Sequence, residues 1–138
     1  MKNIDARSML IREFFDRDMS QLQKHYPSIV EINTSKKNLL YRQGDHCSNL
    51  FWIKSGIVKL FHLTEQGSEV TTGLLRKGDV IGRFQDNSAN QDIDETAEAL
   101  SEVSCYRIAH SDFKAMMSHQ TELAWLIIED MYARKQRV

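Results

Sequence analysis

Long apolar runs are missing from these 138 residues: none approaches the roughly 18 consecutive apolar residues of a membrane-spanning helix. The amino-terminal segment lacks the apolar core of a secretory signal, because Asp5, Arg7, Arg12 and Glu13 interrupt it. Cysteine is scarce as well. Cys47 and Cys105 form no CxxC or other metal-ligand spacing and fit a reducing compartment, so a cytoplasmic protein without membrane contact is expected. Net charge is nearly absent: a balance of −1 gives no global attraction to nucleic acid. A single proline among 41% hydrophobic residues excludes a disordered chain. The length fits one domain, residues 1–138, large enough to bury a real core.

The usual chemistry is missing too. His46 and His62 stand alone, without the paired histidines, glutamate and third histidine of a metal-dependent β-barrel. No nucleophile elbow accompanies a Ser-His-Asp order, and no phosphate loop ends in Gly-Lys-Ser/Thr. His46-Cys47 is the one adjacent pair of soft ligands, and it reads as a turn histidine beside a buried cysteine. No catalytic residue, metal or cofactor is expected. The acids between Asp86 and Glu102 lack the spacing of a calcium loop and read as a solvated segment.

What is present is punctuation. Residues 6–24 carry Met9, Leu10, Phe14, Phe15, Met19 and Leu22 at helical spacing, giving an amino-terminal helical region over 1–24 that stops before Pro27. From residue 28 to 110 the pattern is short strands and turns. Leu39-Leu40-Tyr41 meets Gly44-Asp45, Leu50-Phe51-Trp52-Ile53 meets Ser55-Gly56, and Ile57 to Leu63 meets a hairpin at Gly67. Val70 to Leu75 then meets Lys77-Gly78-Asp79. This rhythm predicts a mainly β fold, an antiparallel roll or barrel. Ser111-Asp112 is a candidate N-cap for a short helix through Met117, and a long helix follows from about Thr121.

In that long helix Ala124, Ile127, Met131, Arg134 and Val138 recur with the 3–4 spacing of a coiled-coil seam. Trp125, Ile128 and Tyr132 form an adjoining face suited to packing on the roll, with Ile128 shared between the two faces. One helix cannot bury two apolar stripes against one roll, so a two-fold partner is expected on the other. No glycine, asparagine or proline stop follows Lys135, so the helix is expected to continue past Val138.

Gly44-Asp45, Lys54-Ser55-Gly56, Gly67 and Lys77-Gly78-Asp79-Val80-Ile81-Gly82 stand in the order and spacing of a known module. Over nearly its whole length the chain resembles the cyclic-nucleotide-binding-type effector domain of the catabolite-activator/fumarate-nitrate-reduction (Crp/Fnr) transcription regulators. The resemblance implies a jelly-roll-like antiparallel double-stranded β-roll over 28–110, flanked by the amino-terminal helix. A short helix and a dimerisation helix would fill 111–138. It implies a homodimer, a small-molecule effector of unknown identity, and DNA contact only through a following helix-turn-helix domain that this chain does not contain.

It also locates a ligand cassette. Nucleotide-binding members of the family open it with Gly-Glu, whose glutamate takes the ribose hydroxyl. They close it with Arg-Ser/Thr-Ala, whose arginine takes the cyclic phosphate. Here the opening is Gly82-Arg83, with Phe84 after it, and the closing segment is Glu95-Thr96-Ala97. Exchanging a cation for an acid beside a phosphate reverses an interaction of roughly 4 kcal/mol at 4 Å. Cyclic AMP binding is therefore not expected. Arg83 is the alternative partner for an acidic effector, or else pairs with a local acid. The rival reading of the whole is a stand-alone nucleotide-binding or protein-interaction module built on the same roll.

Overall fold

The computed structural model describes residues 13, 19–46, 48–82 and 93–136, with side chains described as far as Ala133 except Met131. Helix α1, of which 19–25 are described, leads into eight strands. These are β1 (Val30–Thr34), β2 (Leu39–Tyr41), β3 (Asn49–Ser55), β4 (Val58–Leu63), β5 (Glu69–Leu75), β6 (Val80–Gly82), β7 (Thr96–Ala99) and β8 (Val103–Ala109). Helices α2 (His110–His119) and α3 (Thr121–Gln136) close the described chain. The strands form two four-stranded sheets, ordered β1-β8-β3-β6 and β2-β7-β4-β5, with every pairing antiparallel. This is the β-roll with flanking helices that the strand-and-glycine rhythm predicts.

The Leu50-Phe51-Trp52-Ile53 run shows why the first sheet folds as it does. Successive side chains on a strand point to opposite faces, so a strand covered on both sides needs apolar residues at every position. Leu50 and Trp52 enter one core cluster with Met19, Leu22, Ile108, Phe113, Leu123 and Ile127. Phe51 and Ile53 enter a second, between the sheets, with Tyr41, Val58, Leu75, Ile81, Ala97 and Cys105. The sheet is thus the middle layer, with helices on one face and the second sheet on the other. Trp52 also stacks on Tyr106 at 5.7 Å between centroids, an offset pairing that adds to the burial.

Two features at the helices depart from expectation. Ser111-Asp112 does not cap α2: the helix begins at His110 behind Ala109, and no side chain caps it. Asp112 lies in the first turn, where its carboxylate accepts the Ser28 hydroxyl at 2.5 Å, while Ser28 Oγ accepts the Ala109 N–H at 3.2 Å. Ser28, 84 positions from Asp112, thus anchors the first turn of α2 to the segment before β1 without capping the helix. On α3, Leu123 and Ile127 turn into the core, Ile127 to 2% exposure. Trp125, Ile128 and Tyr132 stand at 65%, 55% and 67%. The face expected to pack on the roll is the open one, and Ile127, expected in the partner seam, is core. Spacing alone reveals two stripes; the apolar floor of Trp52, Ile108 and Phe113 decides which one docks.

Burial pushes the Cys105 thiol up to about 11, with the Arg107 charge pulling the other way. At pH 8 its thiolate fraction falls about a hundredfold below that of an ordinary thiol. In a Cys47→Ser variant, a disulfide reagent is expected to find no reactive thiol in native protein and one after denaturation. Native-state reaction at the rate of a small free thiol would contradict this. No helix among the described residues is long and apolar enough to cross a membrane.

Candidate functional site

The site grows out of the turn between β2 and β3. Arg42 N–H donates to the Asp45 carboxylate at 3.0 Å, and Asp45 N–H donates to the Arg42 carbonyl at 2.9 Å, closing the turn at Gly44. Ile93 then clamps it from across the roll. The Gly44 N–H reaches the Ile93 carbonyl at 2.7 Å, and the Ile93 N–H reaches the Asp45 carbonyl at 3.0 Å. Gln43 makes the third tie: its side-chain carbonyl accepts the Leu63 N–H at 2.8 Å, and its own N–H donates to Thr96 Oγ1 at 2.9 Å. These bonds tie the β2–β3 turn to the closing segment of the cassette and to the end of β4.

Gly82 ends β6 opposite Leu50, at φ +122°. A Cβ there would lie 2.6 Å from the Asn49 carbonyl oxygen and 2.9 Å from Leu50 Cα, so both the backbone angle and the close approach demand glycine. On the other flank Glu95 is half-buried. Its carboxylate accepts the Thr72 hydroxyl of β5 at 2.6 Å, a charge-assisted bond. Gly82 and Glu95 meet around a cavity of about 90 Å³ that they line with Tyr41, Ile93 and Asp94. Residues 83–92, which join these two flanks, lie outside the described residues.

Of the cassette residues expected from sequence, the structure brings Gly82 and Glu95 together. Thr96 and Ala97 are buried behind the cavity and do not line it. The Thr96 hydroxyl serves the Gln43 N–H, and Ala97 fits between Leu60 and Tyr41 in the strand ladder. Arg83 and Phe84 lie outside the described residues, as does Val138; the side chains of Met131 and Arg134 do too. Ala124 is half-buried on α3. Thr72, Tyr41, Ile93 and Gln43 were not legible as site residues. Each reaches the cassette only through a pairing between segments distant in sequence, and Thr72 does so past an irregularity in the β4–β5 register at Leu60/Phe61. Among the described residues, no group of three or more His, Cys, Asp or Glu is placed to hold a metal ion.

A two-sheet antiparallel roll, a glycine-bounded cassette and a long carboxy-terminal helix packed beneath define the class: a cyclic-nucleotide-binding-type sensor domain. The family model described as "Cyclic nucleotide-binding domain" matches residues 31–120, well over half of the chain. The chain belongs to that family, in the Crp/Fnr form that its turn motifs resemble. Electron transport regulator A of Shewanella oneidensis is 45% identical over 47 residues, which are 34% of this chain and 19% of that protein. The fumarate and nitrate reduction regulatory protein of Escherichia coli is 40% identical over 47 residues, again 34% of this chain and 19% of the relative. The matched stretch is thus a small part of those curated relatives.

Solved structures agree over much more of the fold. The sensor domain of the transcriptional regulator DNR from Pseudomonas aeruginosa superposes with a TM-score of 0.66 at 19% identity, covering 90% of this chain and 93% of that one. The Thermus thermophilus catabolite activator protein gives 0.69 at 20% identity, covering 91% of this chain and 58% of that one.

Proposed function

We propose that this chain is the sensor and dimerisation domain of a bacterial, cytoplasmic transcription regulator whose cassette does not take cyclic AMP. The observation that carries the second half is Glu95. It stands where the family's phosphate-binding arginine belongs, and its carboxylate is held by Thr72 at the edge of a cavity of about 90 Å³. A cyclic phosphate placed there would face an acid instead of a guanidinium. The relatives' names support a regulatory role rather than catalysis.

Dimerisation belongs to α3. At about 100° per residue, Trp125, Ile128 and Tyr132 form one stripe, on the side of the helix opposite Leu123 and Ile127. Three large apolar side chains, each more than half exposed, make a surface that a second copy would cover. In the mechanism that follows, a signal at the roll alters how two α3 helices meet. The spacing of DNA-reading domains supplied beyond them changes in turn.

The test is a chimera: this chain fused after α3 to the DNA-binding domain of a catabolite-activator-type regulator, with a reporter behind the matching operator. Reporter regulation that is unchanged by added cyclic AMP is expected. Loss of all operator binding, or a cyclic AMP requirement, would overturn the proposal.

A further inference from the structure

The roll has a second, larger opening that the cassette does not use. A cavity of about 430 Å³ lies between the two edge strands β1 and β2, lined by Ile32 and Thr34, by Leu39, Leu40 and Tyr41, and by Asn49, Phe51 and Arg107; Asp45 and His46 form its lip. Its volume is within the range of small-molecule sites, nearly five times that of the cassette cavity.

Arg107 is the residue that needs explaining. Alternation along β8 places Val103, Cys105 and Arg107 on one face, and Val103 and Cys105 both belong to the core between the sheets. Arg107 therefore shares the inter-sheet face of β8, but unlike Val103 and Cys105 its side chain is exposed, at the open end of a strand flanked by β1 and β3. Its register partners are Val30 on one side and Phe51 on the other. Its charge also reaches the buried Cys105 thiol, consistent with that shared face.

Among the described residues no carboxylate forms an ion pair with Arg107. The one carboxylate on the cavity wall, Asp45, accepts the Arg42 N–H of its own turn. A guanidinium exposed at the mouth of a cavity of mixed polar and apolar lining, paired with no acid among the described residues, offers its planar fork to an anion. Ile32, Leu39, Leu40, Tyr41 and Phe51 then offer an apolar wall for the body of that anion. The acid at the lip disfavours a second negative charge.

We propose that this cavity binds a small apolar monocarboxylate, its head group on Arg107 and its hydrocarbon body against Phe51 and the β2 side chains. This goes beyond the reading of the cassette and of α3 and stands without either.

The test is titration of the ¹⁵N-labelled chain with hexanoate, followed by amide shifts, with hexylamine and hexanol as controls of the same apolar length. Hexanoate is expected to give saturable shifts at Ile32, Leu40, Phe51 and Arg107, with Kd on the order of 1 mM or tighter. Hexylamine and hexanol should bind roughly tenfold more weakly or worse, and Arg107→Gln should lose about the same factor while melting as wild type does. Leu39→Trp, which fills the cavity from an exposed edge position, should abolish the shifts. Absence of saturable shifts with hexanoate overturns the proposal. So does equal binding of the three probes, unchanged affinity in Arg107→Gln, or shifts that survive Leu39→Trp.

Discussion

Ile128→Asp is expected to turn a dimer of about 32 kDa, twice the 16.0 kDa chain, into a monomer at micromolar concentration. The residue sits at 55% exposure between Trp125 and Tyr132, so the isolated fold has no need of it. A charge placed in the centre of an apolar contact leaves that charge buried and unpaired on association. Loss of a central anchor costs 2 kcal/mol or more, and the dissociation constant should rise by at least roughly thirtyfold. Sedimentation equilibrium measures this directly, and the melting temperature of the monomer at high dilution should match that of wild type. Ile127→Asp provides the contrast. It places a carboxylate among Trp52, Phe113 and Leu123 and should unfold the chain rather than separate two of them.

Gly56→Ala should cost on the order of 3 kcal/mol and lower the melting temperature by roughly 10 °C. Gly56 links β3 to β4 at φ +93°, a conformation that side-chain-bearing residues rarely adopt. A methyl group would run into the Glu102 carbonyl oxygen and lie 2.9 Å from Val103 Cα. Both obstacles are backbone, so the collision cannot be relieved by a change of rotamer. Gly44 is the control: it also has positive φ, but nothing lies within 4 Å of its Cβ position. Gly44→Ala should therefore cost only the backbone strain, and a difference of less than about 1 kcal/mol between the two variants would show that the close approach at Gly56 does not matter. The melting curves of the two variants decide it.

The central strands were legible because their burial on both faces writes itself into sequence. Leu50 to Ile53 is an unbroken apolar run bounded by a glycine turn, and such a run has few other uses in a chain this size. The turn residues were legible for a related reason, since Gly44, Gly56, Gly67, Gly78 and Gly82 all adopt positive φ where the pattern breaks. The orientation of α3 was not legible. Its two stripes carry similar apolar weight, and the choice between them rests on Trp52, Ile108 and Phe113, contributed by other elements. The cassette was half legible. Gly82 and Glu95, both singled out from sequence, line one cavity, yet the bond from Thr72 depends on the register of a strand 23 residues away. Arg107 was hidden for a simpler reason. In Cys105-Tyr106-Arg107-Ile108 one face cannot be told from the other until both sheets are in place.

Thermal melting of the chain with 1 mM cyclic AMP tests most directly whether the cassette refuses the nucleotide. A site of micromolar affinity would then be a thousandfold saturated and would stabilise the fold by about 4 kcal/mol. That corresponds to a rise in melting temperature of roughly 10 °C or more. The proposed cassette, with the Glu95 carboxylate at its closing end, predicts a melting temperature that does not move. A rise of several degrees, repeated with cyclic GMP or specific to cyclic AMP, would contradict the account and make this chain a nucleotide sensor with a rebuilt phosphate site.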